Sequence, residues 1–329
     1  MDQARQDRTI GRVTVLTGER GGKYPHGNAL LVRGREETVA IDPSLSLVGR
    51  AALPPVDRVL NSHCHEDHVA GNHLFPRAAV HVHEADLLGL RSLDGLIEVY
   101  GMSPEAGAAF ARAIVEQFHY APRADAAGFA EGAVFDLGGT RVRAIHTPGH
   151  TRGHCAFLVE PEGVLYLGDI DLSSFGPYYG DAWSSLEDFE RSLARVREID
   201  ARHYATFHHV GVVESCGVGE AEVLRNIRRQ AVEVGVAREN ILSCIDRTRH
   251  PCLDIRRQDR VGRRKDRPCA PARISAGVIR YLAQDSDSDK VPLGDAQARE
   301  RANDRRGGRV VTRPQVRAPR WYADHNLGA

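Results

Sequence analysis

The sequence has little of what marks a secreted, membrane-bound or polyanion-binding protein. Its six cysteines are scattered over 329 residues without a CxxC pair, and a chain of this length does not need disulfides. No run approaches the roughly eighteen apolar residues of a membrane span, and no apolar segment follows the N-terminus as in a secretion signal. Lys plus Arg (44) equals Asp plus Glu (44), so no excess charge attracts nucleic acid. We expect a reduced, cytoplasmic protein.

Signatures of covalent catalysis are missing as well. The sequence has no G-x-S-x-G segment and no comparable cysteine and histidine arrangement. What it does have is an ordinary globular composition, with 42% hydrophobic and 27% charged residues. A sizeable core can therefore form, and any chemistry has to come from other side chains.

Two β-rich halves are separated by helical patterns. Short strand-like runs ("RVTVL", "NALLVRG", "ETVAID") alternate with turn signals over residues 10–42, and "VDRVLNSH" and "AAVHVHEAD" continue this half. Helical spacing follows over residues 84–120, most clearly in "SPEAGAAFARAIVEQF" with Ser103 as its N-cap. The second half contains "RVRAIHTPGH", "CAFLVEPEGVLYLGDID", the helical "SLEDFERSLARVREID" and the strand "HYATFHH". This order predicts an α+β fold with four αββα layers.

The composition changes towards the C-terminus. From Asp246 onward Arg, Asp, Ala and Pro dominate, with little apolar periodicity outside "ISAGVIRYLAQ". We therefore expect a catalytic domain over residues 1–235. Residues 236–329 are expected to form a C-terminal extension that is either a small helical module or disordered.

The segment "NSHCHEDHVAGNH", residues 61–73, places four histidines and two carboxylates within thirteen positions. In an extended segment residues two apart point the same way, so His63 and His65 can reach one metal ion. The turn that follows directs Asp67 and His68 to a second. Imidazole and carboxylate groups at this spacing suit zinc or another first-row metal.

Further candidate ligands follow later strands. His150 comes after a strand and a Pro-Gly turn in "HTPGHTRGH", and Asp169 ends the apolar strand "YLGDID". Either His208 or His209 ends the strand in "TFHH". The length of that strand favours His208, whereas counting back from "GVV" favours His209. Because each candidate lies where a strand ends, all can meet at one edge of the sandwich.

These five motifs, in this order over about residues 10–215, resemble the metallo-β-lactamase superfamily, and most closely its glyoxalase II-like and uncharacterised hydrolases. The resemblance implies that His63, His65 and His150 hold one metal ion. It implies that Asp67, His68 and the final histidine, taken as His208, hold the other, with Asp169 bridging both. Two divalent ions are expected, zinc first, with iron or manganese as alternatives. The family often has Gly or Ser before the final histidine, and Phe207 departs from this.

Several other residues near these motifs have weaker assignments. Asp42 occupies the place of a buried family aspartate that supports the ligand loop. His154 is expected to make a polar contact behind the ligands, and Cys64 is expected to point to the opposite face from its neighbours. Tyr178 and Tyr179 are candidates for packing or for stabilising an oxyanion. Structural or exposed positions are expected for His73, His81 and His83.

The expected reaction is hydrolysis by a bridging hydroxide, with Asp67 as the catalytic residue that orients it and accepts its proton. The leading substrate is a small thioester or ester. A lactonase or β-lactam hydrolase is one alternative, and a phosphodiesterase acting on a nucleotide or nucleic acid is another. Nuclease-type members of the superfamily carry an inserted domain between the bridging aspartate and the last histidine. Only 38 residues separate Asp169 from His208, which is too few for such a domain. A small-molecule substrate is the expected partner, with no membrane or nucleic-acid partner, and a homodimer is compatible with the sequence.

Overall fold

The computed structural model describes residues 6–173, 177–214 and 225–230, and within them the strands form two sheets. The first sheet has seven strands in chain order: β1 (Arg8–Ile10), β2 (Val13–Leu16), β3 (Ala29–Arg33), β4 (Thr38–Ile41), β5 (Arg58–Leu60), β6 (Ala79–His83) and β7 (Ala127–Phe129). Strands β1 to β4 are joined antiparallel, as expected for hairpins. Strands β4 to β7 pair in parallel, so their carboxyl ends meet at one edge.

The second sheet contains six strands: β8 (Val134–Asp136), β9 (Arg141–His146), β10 (Cys155–Glu160), β11 (Val164–Tyr166), β12 (His203–Ala205) and β13 (Val212–Glu214). Their order across the sheet is β13, β12, β11, β10, β9, β8. Strands β11 and β12 pair in parallel, and the other neighbours pair antiparallel. The carboxyl ends of β11 and β12 therefore lie side by side.

A continuous apolar core joins the two sheets. Leu30 and Val32 of β3 lie in the same buried cluster as Phe157 and Val159 of β10. Every second side chain of a strand points to the same face of its sheet, so these residues lie on the inner faces of the two sheets. The two sheets therefore pack face to face, as the sequence predicts.

Within the described residues, five α-helices lie between the strands in the sequence, and some of them cover the outer faces of the sheets. They are α1 (Glu66–Val69), α2 (Leu87–Arg91), α3 (Leu93–Tyr100), α4 (Pro104–Gln117) and α5 (Leu186–Val196). Phe189 and Leu193 of α5 pack with Leu158 and Leu165 on the outer face of the second sheet. On the first sheet, α2 lies against β6. The αββα layering expected from the sequence is confirmed.

Helix α4 begins where the sequence predicts. The Ser103 hydroxyl accepts a hydrogen bond from the Ala106 N–H at 3.3 Å, and Pro104 occupies the first turn. The domain boundary predicted at residue 235 and the extension over 236–329 lie outside the described residues. None of the helices in the described ranges has the length and apolar character needed to cross a bilayer.

Candidate metal centre

The histidine-rich segment leaves β5 and turns into α1. Strand β5 ends at Leu60, and His63 and His65 follow in the connecting segment. His65 is the extended residue that precedes α1, whose first turn contains Asp67 and His68. All four side chains are almost completely buried, with His65 and Asp67 both 4% exposed. A strand followed at once by a helix thus brings four polar side chains to one point.

Three histidines from two segments form the first group. His63, His65 and His150 each offer a ring nitrogen, and these atoms all lie within 4.8 Å of one another. The Nε2 atoms of His63 and His150 approach to 3.1 Å. His150 follows β9, so the second sheet completes a group that begins on the first sheet.

A second group lies beside the first. Ligand atoms of Asp67, His68 and His208 also lie within 4.8 Å of one another. Asp169 lies between the two groups, with Oδ1 at 2.9 Å from His68 Nε2 and Oδ2 at 3.3 Å from His150 Nε2. The structure thus brings together all seven side chains that the sequence singles out. We call His63, His65, Asp67, His68, His150, Asp169 and His208 the seven-residue cluster.

His208 lies at the cluster, and its neighbour does not. The Nε2 atom of His208 is 3.1 Å from Asp67 Oδ2. The side chain of His209 instead pairs with Asp171, with Nδ1 and Oδ2 2.8 Å apart. His209 has a positive φ of 58°, which turns its side chain away from the direction of His208. Between the two alternatives left by the sequence, the geometry favours His208.

Four histidines of the cluster are held through the nitrogen that faces away from its centre. Nδ1 of His63 lies 3.0 Å from the Ser62 hydroxyl, and Nδ1 of His68 lies 2.8 Å from Asp42 Oδ2. Nδ1 of His150 donates to the Tyr178 carbonyl at 3.0 Å, and Nδ1 of His208 donates to the Gly22 carbonyl at 2.8 Å. These contacts leave Nε2 with its lone pair directed inwards, the form that binds a metal ion.

Asp42 is the centre of the support behind His68, as the sequence predicts. Its carboxylate accepts hydrogen bonds from the Ser62 N–H at 2.6 Å and from the Tyr166 hydroxyl at 2.8 Å, besides contacting His68. Asp42 is fully buried and has a positive φ of 45°. Such a backbone conformation is uncommon outside glycine and is tolerated by aspartate. The fold therefore fixes the orientation of the His68 ring.

The cluster fits a bound cation because several of its polar atoms lack other partners. Among the described residues, the buried atoms without a hydrogen bond include His65 Nε2, Asp67 Oδ2, His208 Nε2 and Asp181 Oδ2. They approach in two pairs, each 3.1 Å apart: His65 with Asp181, and His208 with Asp67. Buried polar groups without partners are costly, and a divalent cation would satisfy inward-directed lone pairs.

The pKa values of the cluster residues also indicate that positive charge stabilises this site. Burial lowers the pKa of His63 well below its usual value and that of His150 to about 4, so both are neutral at pH 7. Burial also acts on His65 and His208, but the facing carboxylates outweigh it and raise their pKa values to about 8 and about 9. Burial raises the pKa of Asp169, yet the surrounding histidines hold it well below its usual value. Without a cation, the carboxylates of the cluster draw protons onto histidines.

Other residues near the motifs lie as the sequence indicates. His154 is fully buried, and its Nε2 accepts a hydrogen bond from the Asp169 N–H at 3.1 Å. Cys64 is fully buried and faces α2, where a Cβ on Gly89 would come within 2.6 Å of its Sγ. His73 is exposed, and its ring donates to the Ala70 carbonyl at 2.7 Å.

The remaining histidines and tyrosines considered in the sequence lie around the cluster or away from it. His81 pairs with Arg58 at 2.8 Å, and His83 stacks on His146. The Tyr178 hydroxyl donates to Asp181 Oδ1 at 3.1 Å, which directs it to a carboxylate. Tyr179 is half-buried.

Sequence reasoning missed two carboxylates and two tyrosines beside the cluster. Glu66 lies between two candidate ligands and accepts hydrogen bonds from the hydroxyls of Tyr24, at 3.0 Å, and Tyr100. The Tyr100 ring stacks on His65 with centroids 4.9 Å apart. Asp181 contacts His65 from another side. The only signal in the sequence is the position of Glu66 and Asp181 beside motifs already noted.

Comparisons with known proteins identify the family of this chain. Residues 24–208 match the family model described as the metallo-β-lactamase superfamily. A hydroxyacylglutathione hydrolase of Methylococcus capsulatus is 33% identical over 173 residues, 51% of this chain and 55% of that protein. An acyl-coenzyme A thioesterase of Bos taurus is 26% identical over 55% of this chain and 74% of that protein. An atrochrysone carboxyl ACP thioesterase of Passalora fulva is 26% identical over 68% and 60%.

The matched length is partial for two of these relatives, since the chain spans about half of the hydroxyacylglutathione hydrolase and three fifths of the Passalora fulva thioesterase. Among solved structures, a metallo-β-lactamase family protein from Thermus thermophilus has a TM-score of 0.53 at 25% identity, covering 71% of this chain and 83% of that one. A metallo-β-lactamase from Elizabethkingia meningoseptica shares the fold, with a TM-score of 0.52 at 14% identity over 70% and 92%. The family model, which covers more than half of the chain, shows that this protein belongs to the metallo-β-lactamase superfamily.

Proposed function

We propose that the protein is a metal-dependent hydrolase of thioesters. The observation that carries the proposal is the convergence of seven buried imidazole and carboxylate groups at one edge of the sandwich. Neutral histidines and ionised aspartates are the ligands that zinc and related ions prefer in hydrolytic sites. Membership of the metallo-β-lactamase superfamily supports the same class of enzyme.

The proposal assigns the cluster to two divalent ions, with zinc as the first candidate and iron or manganese as alternatives. His63, His65 and His150 would hold one ion, and Asp67, His68 and His208 the other. Asp169 contacts members of both groups and would bridge them. When bound, the two ions would polarise the scissile carbonyl and lower the pKa of a shared water.

The residues of the chain would supply orientation and proton transfer. Asp67 is the proposed catalytic residue because its carboxylate is buried among the other candidate ligands, with Oδ2 3.1 Å from His208 Nε2. A carboxylate in this position can accept the proton of an attacking water. Asp42 and His154 would act as positioning residues, since they hold the ring of His68 and the backbone of Asp169. Their support limits the reorganisation needed during the reaction.

The thioester is favoured over the other substrates by the relatives. Three relatives of similar identity are named for hydrolysis of hydroxyacylglutathione, of acyl-coenzyme A or of an acyl carrier protein thioester. These compounds share the acyl–sulfur bond and differ in the thiol that carries it. The acyl–sulfur bond is therefore the proposed target. A cytoplasmic location, a homodimer and the identity of the metal stay predictions.

The test is a hydrolysis panel with the zinc-loaded protein. The thioesters are S-lactoylglutathione, acetyl-coenzyme A and palmitoyl-coenzyme A, and the comparison substrates are a simple lactone, a chromogenic β-lactam and a nitrophenyl phosphodiester. We expect turnover of at least one thioester, sensitive to chelation, and little turnover of the comparison substrates. Loss of rate by several orders of magnitude is expected for His63→Ala and for Asp169→Ala.

His73→Ala is the matched control. His73 belongs to the same histidine-rich segment, but its side chain is exposed and hydrogen bonds to the Ala70 carbonyl. This variant is expected to keep the rate of the unchanged protein. Thioester turnover that survived Asp169→Ala would contradict the assigned centre, and selective turnover of a comparison substrate would contradict the proposed bond.

A further inference from the structure

We propose that Asp181 is an additional functional group of the metal centre, whose carboxylate strengthens binding of the ion at the three-histidine position. Asp181 lies 12 residues beyond Asp169 in the sequence, outside the motifs that predict the ligands. Its Oδ2 atom is 3.1 Å from Nε2 of His65, one of the three histidines of that position. The inference rests on the proposed metal-dependent function.

The position of Asp181 is fixed by the three residues that follow it. The next two residues donate backbone hydrogen bonds to the end of α3, from Ala182 N–H to the Tyr100 carbonyl at 3.3 Å and from Trp183 N–H to the Val99 carbonyl at 3.2 Å. The Ser184 hydroxyl donates to the carbonyl of His150 at 2.8 Å. The loop is thus tied directly to the segment that carries a candidate ligand.

The side chain itself is held by one oxygen, which leaves the other directed at the cluster. Oδ1 accepts a hydrogen bond from the Tyr178 hydroxyl at 3.1 Å. Oδ2 contacts His65 Nε2 at 3.1 Å, and the side chain is only 3% exposed. A buried carboxylate is unfavourable unless a positive charge lies close to it.

The two halves of the centre differ in the charge that their ligands supply. His63, His65 and His150 would bind an ion as neutral imidazoles, whereas the other group contains the carboxylate of Asp67. Asp181 adds a negative charge on the three-histidine side. Among the described residues the three ligand groups do not include Asp181, so we assign it an electrostatic role beside His65 and not direct coordination. Groups just outside a ligand set commonly change metal affinity by roughly ten- to hundred-fold.

The experiment measures zinc affinity by competition with a chromogenic chelator, together with the number of ions bound per chain. Asp181→Asn keeps the size of the side chain and removes its charge. We expect two ions per chain for the unchanged protein, and in the variant one of the two dissociation constants is expected to increase by roughly ten-fold or more. Asp181→Glu retains the charge and is expected to retain most of the affinity.

Two controls test whether the change in zinc affinity belongs to the three-histidine position. Asp188→Asn removes one negative charge from the first turn of α5, where Asp188 pairs with Arg191. It is expected to leave both dissociation constants unchanged. In a His150→Ala background, which lacks a ligand of the three-histidine position, Asp181→Asn is expected to leave the affinity of the remaining ion unchanged. Circular dichroism confirms that each variant is folded.

The outcomes separate this inference from the proposed function. Two ions bound with unaltered affinity in a folded Asp181→Asn variant would overturn the role of Asp181 and leave the two-metal hydrolase intact. If Asp181→Asn and Asp188→Asn weakened zinc binding equally, the cause would be the loss of one negative charge from the protein and not the position of Asp181. This result would also overturn the inference. Failure of the unchanged protein to bind zinc, iron or manganese would contradict the proposed function itself, and the inference would be rejected with it.

Discussion

At the scale of single residues, Phe207 shows how tightly the back of the cluster is packed. Its ring is fully buried and stacks on His68 with centroids 3.6 Å apart. On the other side, a Cβ on Gly27 would lie only 2.0 Å from Cζ of the ring. The large side chain that departs from the family pattern at this position therefore depends on a glycine in a distant part of the sequence.

This contact makes Gly27→Ala a sensitive substitution. The added methyl group would push the Phe207 ring towards His68, and overpacking of this kind costs about 1–3 kcal/mol of the free energy of unfolding. Urea unfolding monitored by circular dichroism measures the loss. The double variant Gly27→Ala/Phe207→Leu is expected to recover part of it, because the smaller side chain makes room. Equal stability of the single and double variants would show that the contact does not limit the packing.

Asp42→Asn tests the support of His68. The variant replaces one carboxylate oxygen by an NH₂ group. With the amide oxygen kept at the Oδ1 position to accept from the Ser62 N–H, the NH₂ group takes the Oδ2 position, where it cannot accept the hydrogen bonds of the Tyr166 hydroxyl and His68. We expect zinc affinity to fall by roughly ten- to hundred-fold. Tyr166→Phe is the matched control because it removes one donor and keeps the contact with His68. A zinc affinity in Asp42→Asn equal to that of Tyr166→Phe would contradict the proposed support.

The sequence allows prediction of the seven-residue cluster but not of its surroundings. The cluster is predictable because one segment carries four of its members, and because His150, Asp169 and His208 follow recognisable strands. Asp181 and the bonds of Glu66 to Tyr24 and Tyr100 are not, since they join segments whose spatial relation depends on the packed fold. Short-range patterns carry no information on such contacts.

At the scale of elements, the helical region between β6 and β7 shows a similar limit. The sequence indicates helical spacing over residues 84–120, and the structure divides this region into α2, α3 and α4. Ser92 begins α3 by accepting a hydrogen bond from the Gly95 N–H at 3.0 Å, and Gly101 ends it with a positive φ of 66°. Both are ordinary capping signals, and they can be recognised in the sequence once a break between two helices is considered at these positions. The parallel pairing of β7 with β6 has no comparable local signal.

Glu131 links α5 to the second sheet. It accepts hydrogen bonds from the His146 N–H at 2.6 Å and from Arg195, whose guanidinium also donates to the His146 carbonyl at 3.0 Å. Partial burial raises the pKa of Glu131, but these bonds outweigh it and lower the pKa below its usual value. The link therefore stabilises the fold above the unfolded-state pKa of about 4.3. This contribution is lost as the pH falls through the lower folded-state pKa.

Glu131→Gln is accordingly expected to destabilise the protein at pH 7 by less than about 1 kcal/mol, because the ion pair is partly exposed. The difference from the unchanged protein should shrink as the pH falls below about 4. Urea unfolding at several pH values measures both effects. Glu116→Gln, at an exposed position of α4, is expected to have no effect. A difference that grew with acidification would have the wrong sign for this link.

At the scale of the whole molecule, metal removal is expected to affect overall stability. The cluster joins residues from both sheets, so an ion bound there stabilises the packed sandwich and not a single loop. One ion at a hundred times its dissociation constant contributes about 2.7 kcal/mol. We expect EDTA to lower the melting temperature by several degrees, as measured by calorimetry. The double variant Asp67→Ala/His150→Ala should show little shift, and identical melting of the unchanged protein with and without EDTA would contradict the prediction.

The position of α3 has a consequence for how this scaffold can change in evolution. The seven-residue cluster is carried by α1 and the segments that follow β5, β9, β11 and β12, whereas Tyr100 comes from α3 and the carbonyls of Val99 and Tyr100 hold the Asp181 loop. Alterations in the length or composition of the helices between β6 and β7 would therefore reshape the surroundings of the centre without moving its ligand-bearing strands. New substrate selectivity can arise there while the seven-residue cluster is inherited intact.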